Sequence, residues 1–279
     1  MEKLIKPTIG CKKENLIKYL TFKKKPKNEI DFGLLKKKYI RYYFKCKLCG
    51  HLLASHKKEL FDKLYENIYF ESTYKSNDHL LRTFNKISKL PKTKSDNFHR
   101  IQRIKKMTKI FFGSKKISVL DVGSGTGIFP LKIMSKMYQV SSIEPSKVCA
   151  NFIKIKSKSK IKVFNADFLK LSIKKLKKYN LITFNKVLEH VEKPLIFLNK
   201  SMKLLKKVNL IYVEVPDVLA IHDKKEGKER EEFGLGHHHV FSKKSLENLF
   251  KISKINLISI ESIREPSGKY TLYAFGLKK

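Results

Sequence analysis

Val119-Leu120-Asp121-Val122-Gly123-Ser124-Gly125-Thr126-Gly127 closes a short apolar run and opens a helical pattern. Glycines at 123, 125 and 127 let the backbone turn sharply and approach a ligand closely. The free N–H groups of the helix that follows suit an anionic group. A dinucleotide fingerprint reads G-x-G-x-x-G and would need glycine where Ile128 stands. The spacing here is G-x-G-x-G, with an acidic residue two positions before the first glycine. That departure disfavours NAD and FAD.

Outward from this turn, β-type runs alternate with helical patterns. The strand candidates are 117–122, 139–143, 162–165, 180–185, 209–215, 255–262 and 270–276. Helix candidates at 127–137, 146–156, 169–178 and 193–207 separate the first five. Strand and helix in alternation predict an α/β, doubly wound, mostly parallel seven-stranded sheet. Only a short segment with Pro266 and Gly268 separates the last two strands, so they should form an antiparallel C-terminal hairpin. Upstream, apolar residues fall at helical spacing through 57–110, as in Phe61-Leu64-Tyr65-Ile68, Leu80-Phe84-Ile87 and Ile101-Ile104. The organisation expected is a Cys-bearing leader over 1–56, a helical linker over 57–110 and a catalytic domain over 111–279.

The ends of the strands carry the chemistry, as ligands in this fold bind at the carboxyl edge of the sheet. Glu144, 23 residues after Asp121, is placed to accept hydrogen bonds from ribose hydroxyls, with Pro145 beside it. Asp167 suits an adenine amino group, and Phe168 suits packing on the ring. Asn185 ends the fourth strand and leads into Val187-Leu188-Glu189-His190-Val191. Together, Asp121-x-Gly123-x-Gly125-x-Gly127, Glu144-Pro145-Ser146, Ala166-Asp167-Phe168 and Val187-to-Val191 resemble the motifs of class I S-adenosylmethionine-dependent methyltransferases. The resemblance implies a cofactor site made by Asp121, Gly123, Ser124, Gly125, Gly127, Glu144, Pro145, Asp167, Phe168 and Asn185.

The first half narrows the resemblance. Cys46-Lys47-Leu48-Cys49-Gly50-His51, followed by Leu64-Tyr65-Glu66-Asn67-Ile68-Tyr69-Phe70 and Tyr74, resembles the zinc-binding leader of sugar and polysaccharide C-methyltransferases. That family usually carries two Cys-x-x-Cys pairs, whereas only Cys11 stands upstream here. Cys11, Cys46 and Cys49 with His51, His56 or Glu14 would close one structural zinc site. A metal-free relic is the alternative. A thioredoxin-like redox pair is disfavoured, since the pair lies outside the βαβ region. Cys149 reads as a small core residue.

Beyond the fifth strand, Gly236-His237-His238-His239-Val240-Phe241-Ser242 resembles that family's histidine before a Phe-Ser pair, with Ser242 as a helix N-cap. Methylating a carbon next to a ketone needs a base, and an imidazole near pKa of about 6.5 suits that. His237 and His239 are the first candidates and His190 the next. Tyr69 and Tyr74 are candidates to cover the site. The acceptor implied is a nucleotide-linked sugar or polysaccharide precursor. Other acceptors (RNA, a lipid-like quinone, another small molecule) and a non-catalytic scaffold remain as alternatives.

Composition sets limits. Lys+Arg 62 against Asp+Glu 25 gives a formal net charge of +37. That balance invites nucleic acid as a partner. Yet only six of those basic residues are arginine, the usual reader of phosphates and bases, and the lysines are spread along the whole chain. Codon bias explains the charge better, so nucleic acid is disfavoured. No apolar run is long enough to span a membrane, and no secretory leader is evident, so a cytoplasmic enzyme is expected.

Overall fold

The computed structural model describes residues 2–4, 9–26, 29, 39–57 and 76–278. The helical reading of 58–75, with Tyr69 and Tyr74, and the side chain of His56 lie outside the described residues.

Seven strands build the main sheet. They are β5 (Ile117–Val122), β6 (Tyr138–Ile143), β7 (Lys162–Phe164), β8 (Tyr179–Asn185), β9 (Leu205–Pro216), β11 (Asn256–Arg264) and β12 (Tyr270–Lys278), in the order β11-β12-β9-β8-β5-β6-β7. β9, β8, β5, β6 and β7 run parallel, and β12 inserts antiparallel between β9 and β11. The expected fold class is the one observed, and the terminal hairpin lies at the sheet edge.

Alternation within each strand explains the layering. Leu120, Val122, Ile182, Phe184, Ile211 and Val213 pack into one core, with Leu198 and Leu204 of helix α5 (Pro194–Leu204) and Leu246 and Phe250 of α6 (Lys243–Ile252). The intervening Val119, Leu181, Leu210 and Tyr212 face a second core. There they meet Ile101 and Ile104 of α2 (Asp96–Phe112), Phe129 of α3 (Ile128–Ile133) and Ile153 of α4 (Lys147–Lys156). α1 (Asn77–Ser88) precedes α2, its N-cap Ser76 accepting from His79 N–H. Ser242 caps α6 as expected, accepting from Ser245 N–H in a capping box.

The helix expected over 169–178 shrinks to a single 3-10 turn at Ile173–Lys175. Its carbonyls have another partner. The Lys200 ammonium donates to the carbonyls of Phe168, Leu169 and Leu171 at 2.5, 2.9 and 2.5 Å, satisfying them without a helical ladder.

A second, antiparallel sheet forms from the leader. β2 (Leu16–Phe22), β3 (Arg41–Cys46), β4 (Leu52–Lys57) and β1 (Glu2–Leu4) pair in the order β1-β4-β3-β2. A two-residue strand from the C-terminal half, β10 (His239–Val240), adds to β4 with His239 opposite Leu53. Arg41 fixes the same junction. It is buried, paired with Glu29 at 2.8 Å, and donates to the Phe233 carbonyl at 2.5 Å. The Glu29 carboxylate also accepts from the Leu235 N–H. The leader thus grips the segment that carries the histidines.

Candidate functional site

The glycine turn and the strand ends enclose a cleft of about 1010 Å³. Asp121, Gly123, Ser124, Gly125, Glu144, Pro145, Asn185 and His190 are among its walls. Gly123 has φ +71°, and a Cβ there would lie 2.7 Å from the Val187 side chain. Gly127 stands behind the wall at φ +76°, where a Cβ would lie 2.6 Å from Ile153 Cγ1. Neither position admits a side chain, which is the physical content of the motif.

Two buried carboxylates organise the cleft. Asp121 Oδ1 accepts from the Thr183 hydroxyl at 2.7 Å and from Asn185 Nδ2 at 2.8 Å. Burial pushes its carboxyl up to about 6, against those hydrogen bonds. Glu144 Oε2 accepts from Gly125 N–H at 2.7 Å and Oε1 from Ser146 N–H at 2.9 Å. Burial pushes Glu144 up to about 7, with the two N–H groups pulling the other way. Glu144 therefore bridges the turn and the start of α4, and its remaining lone pairs are free for hydroxyl donors on a ligand.

On the adenine side, the aromatic ring behaves differently from expectation. Asp167 Oδ1 accepts from the backbone N–H groups of Leu169 and Lys170 at 2.6 and 3.3 Å. The Phe168 ring is buried against Phe184 and Phe197, so it offers no face for stacking. Its place in the core corrects the stacking expectation: the fold needed that ring under the sheet.

A smaller recess of about 230 Å³ adjoins the cleft, and the two share Asp96, Arg100, Lys186, His190 and Lys269 as walls. Glu189 and His237 line the recess. The His190 and His237 rings meet edge to face at 4.7 Å. His190 Nδ1 pairs with the Gly236 carbonyl at 2.8 Å, and His237 Nδ1 with the Glu232 carbonyl at 2.9 Å. Those carbonyl acceptors fix the N–H on Nδ1 and leave Nε2 as the basic nitrogen of each ring. Burial holds His190 down to about 4 and His237 well below the imidazole range. Burial raises Glu189 to about 8, with Lys186 opposing, and lowers Lys186. Lys186 sits at φ +58° directly after β8 and donates to Thr271 Oγ1 at 2.8 Å.

His239 is elsewhere. It is fully buried, its Nδ1 is 3.0 Å from His51 Nε2, and its Nε2 is 3.4 Å from the Glu192 carbonyl oxygen. It joins the leader to the catalytic half and faces neither cavity. That placement corrects its candidacy as a base. Its strand β10 pairs with β4 and the ring meets His51, a juxtaposition that local sequence does not reveal.

Sequence reasoning missed the ion pairs behind the recess. Arg100 donates to Glu214 from Nε at 2.8 Å and from Nη2 at 2.5 Å, and Tyr212 donates to the same carboxylate at 2.7 Å. Burial alone would raise Glu214, but the Arg100 guanidinium outweighs it and holds the carboxyl far below its usual range. The partners lie 114 residues apart, so no local pattern announces them.

In the leader, the sulfurs of Cys11, Cys46 and Cys49 lie within 4.8 Å of one another, all buried, with Cys11 and Cys49 at 3.3 Å. Gly50, at φ +72°, donates its N–H to the Cys46 carbonyl at 2.8 Å and closes the knuckle. Three converging thiols fit a thiophilic ion such as zinc. His51 does not join them. Its ring nitrogens pair with Ser245 Oγ at 3.2 Å and with His239. Glu14 is exposed and sits 3.9 Å from Lys12. Among the described residues the cluster contains three ligands.

Comparisons with known proteins follow this geometry. A family model described as a methyltransferase domain matches residues 79–258. A search of curated protein sequences found no match. Among solved structures, magnesium protoporphyrin IX methyltransferase from Synechocystis PCC 6803, determined with bound SAH, superposes with a TM-score of 0.59 at 11% identity. The alignment covers 77% of this chain and 100% of that one. The 1,6-didemethyltoxoflavin-N1-methyltransferase of Burkholderia thailandensis, bound to 1,6-didemethyltoxoflavin and S-adenosylhomocysteine, gives 0.53 at 13% identity, covering 76% and 86%. The [4+2]-cyclase SpnF also shares the fold, at 0.50 and 11% identity, covering 63% and 80%. At such identities the likeness speaks to the fold alone, and one fold hosts different chemistries. Among the described residues, no helix is long and apolar enough to cross a membrane.

Proposed function

The chain belongs to the methyltransferase domain family, and from that membership we propose that it transfers a methyl group from S-adenosylmethionine to a small polar acceptor, a nucleotide-linked sugar methylated at carbon. The observation that carries the reading is the junction of two cavities. A glycine-walled cleft with a hydroxyl-accepting Glu144 opens directly onto a polar recess holding His190 and His237.

When bound, S-adenosylmethionine supplies an electrophilic methyl on a sulfonium, so the protein's task is mainly positioning. Glu144 holds the ribose hydroxyls, and the Gly123–Gly127 turn admits the cofactor's close approach. Asn185, anchored to Asp121, ends β8 at the wall of the cleft. The Glu189–His190–His237 group faces the acceptor and favours loss of its proton. Lys186 and Thr271 supply hydrogen-bond donors for acceptor oxygens. Cys11, Cys46 and Cys49 serve a structural zinc that shapes the leader.

The test is methyl transfer from labelled S-adenosylmethionine to a panel of nucleoside diphosphate sugars, including 4-keto sugars, read with solvent deuterium exchange next to the ketone. Enolisation should give cofactor-independent exchange that His237→Gln abolishes. Turnover of an amine or hydroxyl acceptor without exchange would replace the carbon reading. Failure to bind S-adenosylhomocysteine would remove the methyltransferase reading altogether.

A further inference from the structure

The recess stands out electrostatically. Among the described residues, six carboxylates and three cationic side chains line it, in a chain whose formal net charge is +37. Most of those carboxylates have arginine or lysine partners: Glu214 with Arg100, Glu265 with Arg103, Glu232 with Arg230 and Glu231 with Lys269. Glu189 has none of these. It is buried, and among the described residues its Oε2 accepts no hydrogen bond. A buried carboxylate oxygen left in that state is costly unless something cationic completes it.

The donors around it are those of a metal site. Glu189, His190 and His237 each offer one ligand atom, and the three atoms lie within 4.8 Å of one another. His190 Nε2 is 3.9 Å from Glu189 Oε1. Bonds of about 2.1 Å to a common ion set ligand atoms about 3.0–3.5 Å apart, so side-chain shifts of about 1 Å close the triad. Each imidazole already gives its Nδ1 to a backbone carbonyl, Gly236 for His190 and Glu232 for His237. That second contact is how metal-binding histidines are usually oriented, with Nε2 aimed at the ion. Two imidazoles and one carboxylate favour a divalent first-row transition ion over magnesium or calcium. The recess beyond the three residues leaves coordination positions open.

We propose that Glu189, His190 and His237 bind a divalent transition cation whose open positions hold an oxygen of the methyl acceptor. The inference rests on the methyltransferase reading and deepens it by naming how the acceptor is held. The ion polarises the coordinated oxygen and so acidifies the acceptor. As the methyl passes to the acceptor, its bond to sulfur breaks with the electron pair staying on sulfur, and the acceptor's proton leaves to solvent water.

Mn²⁺ is the probe, because it favours nitrogen and oxygen donors over the thiolates of the leader. Titration of the full chain, followed by loss of the free-ion EPR signal, should show one saturable site. Glu189→Gln and His237→Gln should each weaken it by at least about tenfold. Calorimetry with S-adenosylhomocysteine on each protein reports whether the cleft is intact, and the isosteric Glu189→Gln carries the test should His237→Gln misfold. Wild-type protein that binds S-adenosylhomocysteine but no Mn²⁺, or variants that bind Mn²⁺ as wild type does, would overturn the metal site and leave the methyltransferase reading standing. Wild-type protein that binds Mn²⁺ in this site but no S-adenosylhomocysteine would sink the methyltransferase reading and support the site itself.

Discussion

Cofactor affinity should depend on pH through Glu144. This carboxylate is 6% exposed and already accepts two backbone N–H groups. Burial nevertheless lifts its pKa from 4.5 to about 7, the Asp121 charge adding to the rise. Ribose hydroxyls donate to the ionised form, so the protonated protein must first lose its proton. With a pKa of about 7 in the free cleft, roughly ten in eleven molecules are protonated at pH 6, so affinity there should be about tenfold below its plateau, or about 1.4 kcal/mol. Stability of the ligand-free protein runs in the matching direction. A raised acid keeps its proton in the fold while the unfolded chain releases it, so its contribution favours the fold at low pH. That contribution is lost as pH climbs from 4.5 to about 7. Its full size is about 3 kcal/mol. The assay is calorimetry with S-adenosylhomocysteine from pH 5.5 to about 8.5, beside urea unfolding of the apo protein. Glu144→Gln should flatten both profiles and weaken binding at high pH by about 1–3 kcal/mol. A wild-type affinity that stays level from pH 6 to about 8 would refute the reasoning.

Arg100→Ala should cost about 3–5 kcal/mol in urea unfolding, toward the lower end because Arg103 still reaches Glu214; the double variant with Glu214→Gln should recover most of it. Gly127→Ala should lose about 1–3 kcal/mol, from the left-handed backbone and the clash with Ile153, and thermal melting reads it directly. Elemental analysis of tag-free protein should find about one zinc per chain, lost in Cys46→Ser; metal-free protein of unchanged stability would make the leader a relic. RNA binding should be weak, indifferent to sequence and largely gone at physiological salt, as filter binding across a salt series would show.

The sheet was legible because its strands are buried on both faces and separated by amphipathic helices. Ile117–Val122 and Tyr179–Asn185 announce themselves as short runs of β-forming residues. The glycine turn and the acidic strand end were legible because their spacing is a local feature. What the sequence hid was long-range. Leu16–Phe22 and Arg41–Cys46 alternate like strands, yet the cysteines drew attention from the sheet they belong to. Phe168 sits next to a motif residue, but its ring is claimed by Phe184 and Phe197 from elements far along the chain. Lys186 carries no local signal, since its ammonium is perturbed only by the burial that the fold imposes. Its partnership with Thr271 was not visible, since that needs β12 beside β9.

The two halves of the chain meet at the histidines, and this ties the leader to the recess. β10 is a strand of the leader sheet by pairing and a segment of the catalytic half by sequence. Tyr43 of β3 donates its hydroxyl to the His237 carbonyl at 2.9 Å, and His51 meets His239 ring to ring. His237 itself is held from the other side by the Glu232 carbonyl, and Glu232 is clamped by Arg230. The backbone between Glu232 and Val240 is therefore fixed by contacts from both halves. Ordering such a segment costs roughly 1–2 kcal/mol per residue, which only a dense set of contacts offsets. A leader whose knuckle loosens would release β4, then β10, and then the His237 ring that lines the recess. The cysteine cluster lies beside the other sheet, yet it is connected to the recess through one strand of two residues.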